Sequence, residues 1–273
     1  RRQIDAEGVE LPLEQLGVDA WQLERPGVRS LMKKIEHAGP PLKDVLGSSA
    51  LFGLKTGFNE AFYIDSATRN ALVDQDRNAS DVIRPYIRGQ DIRRWGPEWG
   101  GYWAIVLKSS NDWKWPWSAQ PDSAETVFSQ TYPSIYQHLK QFERELRART
   151  DQGVNWWELR SCAYYEEIEK PKVCIQRIAF HSRIAIDLSG IYVNDATIFL
   201  KTTDPWIVAC LNSPPMWYYA FRTFPHKKDE ALAMDVPYVD RMPIPQASEK
   251  VQTTAAGKVA RLVEITAEYH ALR

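Results

Sequence analysis

Cysteine is scarce in this sequence: Cys162, Cys174 and Cys210 are the only three, and no C-x-x-C spacing occurs. Three thiols cannot all pair, so the count favours reduced cysteines in a cytoplasm over a disulfide framework or a zinc ribbon. A dominant charge is missing as well. Thirty-four Lys and Arg stand against 35 Asp and Glu, a net charge of −1, so any surface for a polyanion has to be local. No apolar run approaches the ~18 residues of a membrane span, and the N-terminus has no basic-then-apolar leader. The first residue is Arg1 rather than Met, which leads to the expectation that the chain is a segment of a longer protein.

Catalytic signatures are absent too. There is no G-x-S-x-G elbow, no phosphate loop of Walker type and no H-E-x-x-H pair. The five histidines (His37, His138, His181, His226 and His270) lack metal-ligand spacing. A metal-dependent nuclease would need Pro-Asp followed by an acidic-x-Lys. Here Asp112-Trp113-Lys114 precedes Pro121-Asp122, the reverse order. No metal or cofactor is therefore expected on the segment itself.

What the sequence does have is length, apolar residues and aromatics. It has 273 residues, 44% of them hydrophobic, with eleven Trp and twelve Tyr, enough for one large domain or two small ones. Residues 1–29 are polar and read as a linker, 30–246 as the domain, and 247–273 as a C-terminal spacer helix. From Ser30 the spacing of Leu31 and Ile35 predicts a helix stopped by Gly39 and Pro40-Pro41. "LFGLKTGFNEAFYID" predicts two short strands joined by a glycine turn. Ile135, Leu139, Phe142 and Leu146 recur every three or four residues, which predicts one helix over 131–149. "KVCIQRIAF", "RIAIDLS" and "GIYVNDATIFLK" have strand composition, with Ser189-Gly190 as a hairpin turn. Val251, Ala255, Val259, Leu262, Ile265 or Thr266, Tyr269 and Leu272 form the stripe of a long final helix. The expected fold is α+β, a mixed sheet flanked by helices and ending in that helix.

Ser213-Pro214-Pro215-Met216 looks like the tetrapeptide with which adenine-N6 methyltransferases hold a flipped base. Met216 stands where the stacking aromatic should be, and no glycine-rich methyl-donor loop lies upstream. The local chemistry gives a simpler reading. Asp204 caps a helix with Pro205 in its first turn, Asn212 ends it, and Ser213 caps the next with Pro214 at its first position. The motif is a helix–helix corner.

Aromatic and basic residues interleave in "NDWKWPWS", "NWWELRSCAYY" and "AFRTFPHKKDE", a pattern able to meet phosphates and bases or simply to fill a core. A Trp-rich carbohydrate or small-ligand module is the alternative that such composition leaves open. Four stretches narrow the choice. "FGLKTGFNEAFYID" (52–65), "VIRPYIRGQDIRRW" (82–95), the run 132–173 from "YPSIYQHLK" to "EEIEKPKV", and "DLSGIYVNDATIFL" to "LNSP" (187–214) together resemble the TaqI-like C-terminal specificity domain. Such domains follow the adenine-specific methyltransferase of Type IIG restriction–modification enzymes and their phage-defence relatives. The resemblance implies double-stranded DNA as partner and a covalently attached methyltransferase domain in a cytoplasmic, prokaryotic parent. That parent would use S-adenosylmethionine, with magnesium if it also cuts. The segment lacks the catalytic half, so it implies DNA reading alone.

The resembling motifs are scaffold and do not carry a target sequence. Base contacts need long polar side chains on loops between rigid elements. "QRIAFHSRI" offers Gln176, Arg177, His181, Ser182 and Arg183 in that setting. Arg pairs bidentately with guanine and Gln with adenine. Phosphate positioning suits Lys55, Arg88, Arg93, Arg94, Lys227 and Lys228.

Overall fold

The computed structural model describes Gly8 and residues 25–272; the expected linker lies, but for Gly8 and its last few residues, outside them. Short 3-10 turns aside, the first elements are α1 (Pro26–Glu36), α2 (Leu42–Leu46), β1 (Leu51–Phe52), α3 (Asn59–Phe62), β2 (Tyr63–Asp65), α4 (Ser66–Gln75), β3 (Ile83–Ile87), β4 (Tyr102–Ile105), α5 (Ala124–Thr131), α6 (Pro133–Lys140), α7 (Glu143–Ala148) and α8 (Tyr165–Ile168). There follow β5 (Lys172–Gln176), β6 (Ile178–Ala179), β7 (Ile184–Asp187), β8 (Tyr192–Val193), β9 (Thr197–Leu200), α9 (Pro205–Leu211), α10 (Pro214–Thr223), β10 (Leu232–Ala233), α11 (Val236–Val239) and α12 (Glu249–Ala271). One sheet has the order β2-β4-β3-β8, with β3 and β8 parallel; a second, β1-β9-β5-β7, is antiparallel; β6 and β10 form a two-stranded ribbon. The architecture is the expected α+β, with mixed sheets between helices and a long final helix.

The second sheet is a wall between two cores, and the period of two along a strand explains how. Cys174, Ala185 and Phe199 point into a core shared with the first sheet, α5 and α6. Their neighbours Val173, Ile175, Ile184, Ile186, Ile198 and Leu200 point into the other, against α1, α9, α10 and Val259 of α12. Strands covered on both faces read as unbroken apolar runs, which is how these three stand in the sequence.

The structure corrects several local expectations. The first helix begins at Pro26, not Ser30. The strands of 51–65 do not pair with each other: β1 joins β9, β2 joins β4, and the helical turn α3 intervenes. The helix expected over 131–149 is two helices preceded by a third. Pro133 forces Tyr132 out of the α region (φ −133°, ψ 66°), which ends α5 at Thr131, and the chain turns again at Phe142 to lay its ring on Phe58. Ser189-Gly190 is not a hairpin. Gly190, at φ 70°, sends the chain from β7 in one sheet to β8 in the other. On α12 the expected stripe is met in part: Ala255, Val259 and Thr266 turn toward the protein together with Gln252, Ala256, Val263 and His270, whereas Val251, Leu262, Ile265, Tyr269 and Leu272 stay exposed.

Two buried charges tie the quoted motifs together. The Arg149 guanidinium donates to the carbonyls of Thr56, Trp156, Glu158 and Leu146, and burial lowers its pKa to about 10. The Glu158 carboxylate accepts from Trp117 Nε1, Ser110, Val154 and Asn155. Stretches far apart in sequence thus meet in one network, which gives them a structural role. Lys172 makes a second such node, with Nζ 2.7 Å from Asp187 Oδ2 and donating to the carbonyls of Ile168 and Ile191.

The aromatic-rich stretches go largely inside. Trp117, Trp156 and Trp157 are buried, Trp115 stacks on Trp117 at 4.9 Å, and only Trp113 of that group is exposed. Among the described residues no helix is long and apolar enough to cross a membrane.

Candidate nucleic-acid interface

The corner at 212–214 forms as its residues dictate. Asp204 accepts from Trp206 N to cap α9, and Ser213 accepts from Met216 N to cap α10. Asn212, buried between them, reaches across to the loop that follows β6. Its Nδ2 donates to Ile184 O at 2.9 Å, and its Oδ1 accepts from Ser182 Oγ at 2.8 Å. The Asn212 carbonyl in turn accepts from the Arg94 guanidinium. One asparagine therefore fixes the 180–183 loop and the Arg93-Arg94 turn together.

That turn is held in an unfavourable conformation. Trp95 has φ 82°, a left-handed value that costs a bulky residue on the order of 1–3 kcal/mol. It is held there by β7 on both sides: Trp95 N donates to Ile184 O at 3.0 Å and Ile186 N donates to Trp95 O at 2.9 Å. Trp95 also packs against the second core, while Arg94 stacks over its ring at 5.0 Å. The strained residue aims the two arginines at the loop.

The result is a groove of about 410 Å³ lined by Arg93, Arg94, His181, Ser182, Arg183 and Trp217, with Asn212, Ser213 and Pro214 at the end of α10. Pro214 and Pro215 carry no N–H, so the helix end contributes its positive field there more than donors. Arg93 is paired with Glu98 at 2.8 Å. Among the described residues no carboxylate pairs with Arg94 or Arg183; Arg183 donates to His181 Nε2 at 2.9 Å. Partial burial and the Arg183 charge lower the pKa of His181, which keeps it neutral near pH 7.

On its other side the loop is flanked by a short ribbon. Ala179 pairs with Leu232, His226 bridges Leu232, and Lys227 N donates to Ala231 O at 2.7 Å. This puts Lys227 in the same row as residue 180 with Ala231 of the ribbon between them, and Lys228 at the ribbon's tip, neither lysine paired to a carboxylate among the described residues. The tip also holds Asp229 and Glu230, both at positive φ, with Glu230 bonded to His226. The Phe221 carbonyl, and after it the Glu230 carboxylate, raise the pKa of His226.

The structure thus brings together Arg93, Arg94, His181, Ser182 and Arg183 around one groove, with Lys227 and Lys228 on the ribbon beyond β10. It separates the other candidates from them. Arg177 is clamped by Asp235 at 2.7 Å and the Asp195 carbonyl, over the Phe52 ring, in a second pocket that also contains Lys55. Lys55 pairs there with Asp151 at 2.8 Å. Gln176, at the end of β5, is half-buried and its Oε1 has no partner. Arg88 is bound bidentately by Asp91 and stacked on Tyr102. Two residues escaped the sequence reading. Asn212 was legible as a helix end but not as the anchor of the loop. Phe180, at the loop's start, is 62% exposed, whereas apolar residues near strands are expected to point inward. Among the described residues no group of three or more His, Cys, Asp or Glu lies close enough to hold a metal ion.

An α+β scaffold that presents cations on anchored loops is suited to holding a polyanion. Residues 84–244 match the TaqI-like C-terminal specificity domain, and the chain belongs to that family. Its fold is similar to part of the Type IIL restriction–modification enzyme MmeI, solved in complex with DNA. The TM-score is 0.59 at 12% identity, over 93% of this chain and 30% of that one. The chain thus spans under a third of that enzyme's length. No curated protein matches it.

Proposed function

We propose that the chain is the sequence-reading part of a restriction–modification enzyme of Type IIG or a related phage-defence kind. It binds duplex DNA, reads a short site and presents the target adenine to a methyltransferase domain of the same cytoplasmic, prokaryotic protein. The convergence of Arg93, Arg94 and Arg183 in one groove beside an anchored loop, with Lys227 and Lys228 on the adjoining ribbon, carries this reading in a chain whose net charge is only −1. Membership of a specificity-domain family and a fold shared with a DNA-bound restriction–modification enzyme support it.

In this reading Arg183, His181 and Ser182 face base edges, Arg93, Arg94, Lys227 and Lys228 meet phosphates, and Gln176, Arg177, Lys55 and Arg88 contribute from the neighbouring surface. S-adenosylmethionine, and magnesium if the parent cuts, belong to the parent's other part. Mapping modified bases in a genome expressing the full-length parent tests the proposal. N6-methyladenine confined to one short motif is the expected result; a genome without modified adenine would refute it.

A further inference from the structure

Phe180 has no evident role in folding, yet its placement is controlled. It is more exposed than any other aromatic side chain among the described residues. The residue before it, Ala179, is paired to Leu232, and two residues later Ser182 is bonded to Asn212. Phe180 therefore lies between two fixed points of the loop while its own ring is left to solvent. Ile178, two positions earlier on the same face of β6, is also exposed. The same loop carries His181 and Arg183, which are bonded to each other, and beyond β10 the ribbon carries Lys227, then Lys228 with the acidic pair Asp229 and Glu230 at its tip.

An exposed apolar ring on a loop that lines a groove with Arg93, Arg94 and Arg183 suits a ligand that is anionic outside and aromatic inside, the description of duplex DNA. A second protein surface would need carboxylates around an apolar patch to suit the same cations. We propose that Phe180 enters the bound duplex and packs on a base face at an opened base-pair step. This rests on the DNA-reading function proposed above. Apolar wedges of this kind unstack a step and gain the ring–base contact in exchange. A step already weakened by a mismatch opens at lower cost, so the wedge favours it.

Two duplexes differing only in one central mismatch separate the possibilities, with binding to the 273-residue chain followed by fluorescence anisotropy over a salt series. The wild-type chain is expected to bind the mismatched duplex several-fold more tightly. Phe180→Ala is expected to lose that preference and about tenfold in affinity, the scale of one base–aromatic stack, with the salt dependence unchanged. Phe180→Leu, a smaller wedge, should keep part of the preference, and both variants should melt like the wild type. A steep salt dependence without mismatch preference, or a preference that survives in Phe180→Ala, overturns the wedge and leaves DNA reading intact. Unchanged DNA binding in Phe180→Ala, with looser attachment of the methyltransferase domain in the parent, would assign the ring to that domain instead. No binding to either duplex overturns DNA reading and the wedge with it.

Discussion

Replacing Asn212 by alanine isolates the link between scaffold and site. The side chain is 1% exposed and makes two hydrogen bonds, to Ile184 O and Ser182 Oγ. At about 1 kcal/mol net for each, the loss is about 2 kcal/mol. For a chain of this size that lowers Tm by roughly 4–8 °C, at about 2–4 °C per kcal/mol. Ile184 O keeps Trp95 N as a donor and Arg94 keeps the Asn212 carbonyl, so the damage falls on the Ser182 end of the loop. DNA affinity should then drop several-fold at a temperature where the variant is fully folded, with its salt dependence unchanged because no cation is removed. Asn212→Asp should cost more stability than alanine, since it sets a carboxylate against the Ile184 carbonyl. Urea unfolding and anisotropy on the same samples read both effects. Normal stability in the alanine variant, or lost stability with undiminished binding by the folded fraction, would refute the assignment of Asn212 as the anchor.

Lys172→Met should destabilise the fold by about 3–5 kcal/mol, because it leaves the Asp187 carboxylate buried without its cation; urea unfolding measures this, and a loss below about 1 kcal/mol would mean that the site relaxes around the lone charge. Arg183→Ala in the full-length parent should relax the methylated motif at one base pair, by about 1–3 kcal/mol of discrimination if the contact is bidentate. An unchanged motif removes Arg183 from the readers.

The class of fold was legible because the residues that set it act locally or by simple period. Asp204, Pro205, Asn212, Ser213 and Pro214 spell the helix corner within ten positions, and each takes its expected place. Pairing was not legible. Nothing near Ser189-Gly190 distinguishes a hairpin from a passage between sheets; that choice is made by Tyr86 and Ile87, the partners of β8 a hundred residues upstream. On α12 Thr266 faces the protein against Gly96 beside Val259 and Val263, while Leu262 and Ile265 stay outside, and which of these faces inward depends on that distant turn. At the site, the sequence identified the loop 180–183 and the cations Arg93 and Arg94 separately. Their union depends on a buried asparagine and on a strained tryptophan hooked to β7, neither of which has a sequence signature. Arg88 and Arg177 look like Arg94 in the sequence, yet carboxylates from Asp91 and Asp235 hold them.

Whether the groove and the adjoining ribbon grip a DNA backbone is read in the salt dependence of binding. If Arg93, Arg94, Lys227 and Lys228 each neutralise one phosphate, log K for a duplex should fall against log salt with a slope of about −3.6, at about −0.9 per contact. Arg93→Ala combined with Arg94→Ala should bring that slope to about −1.8. A flat slope for the wild-type chain, or a steep one that the double variant leaves untouched, would contradict the account.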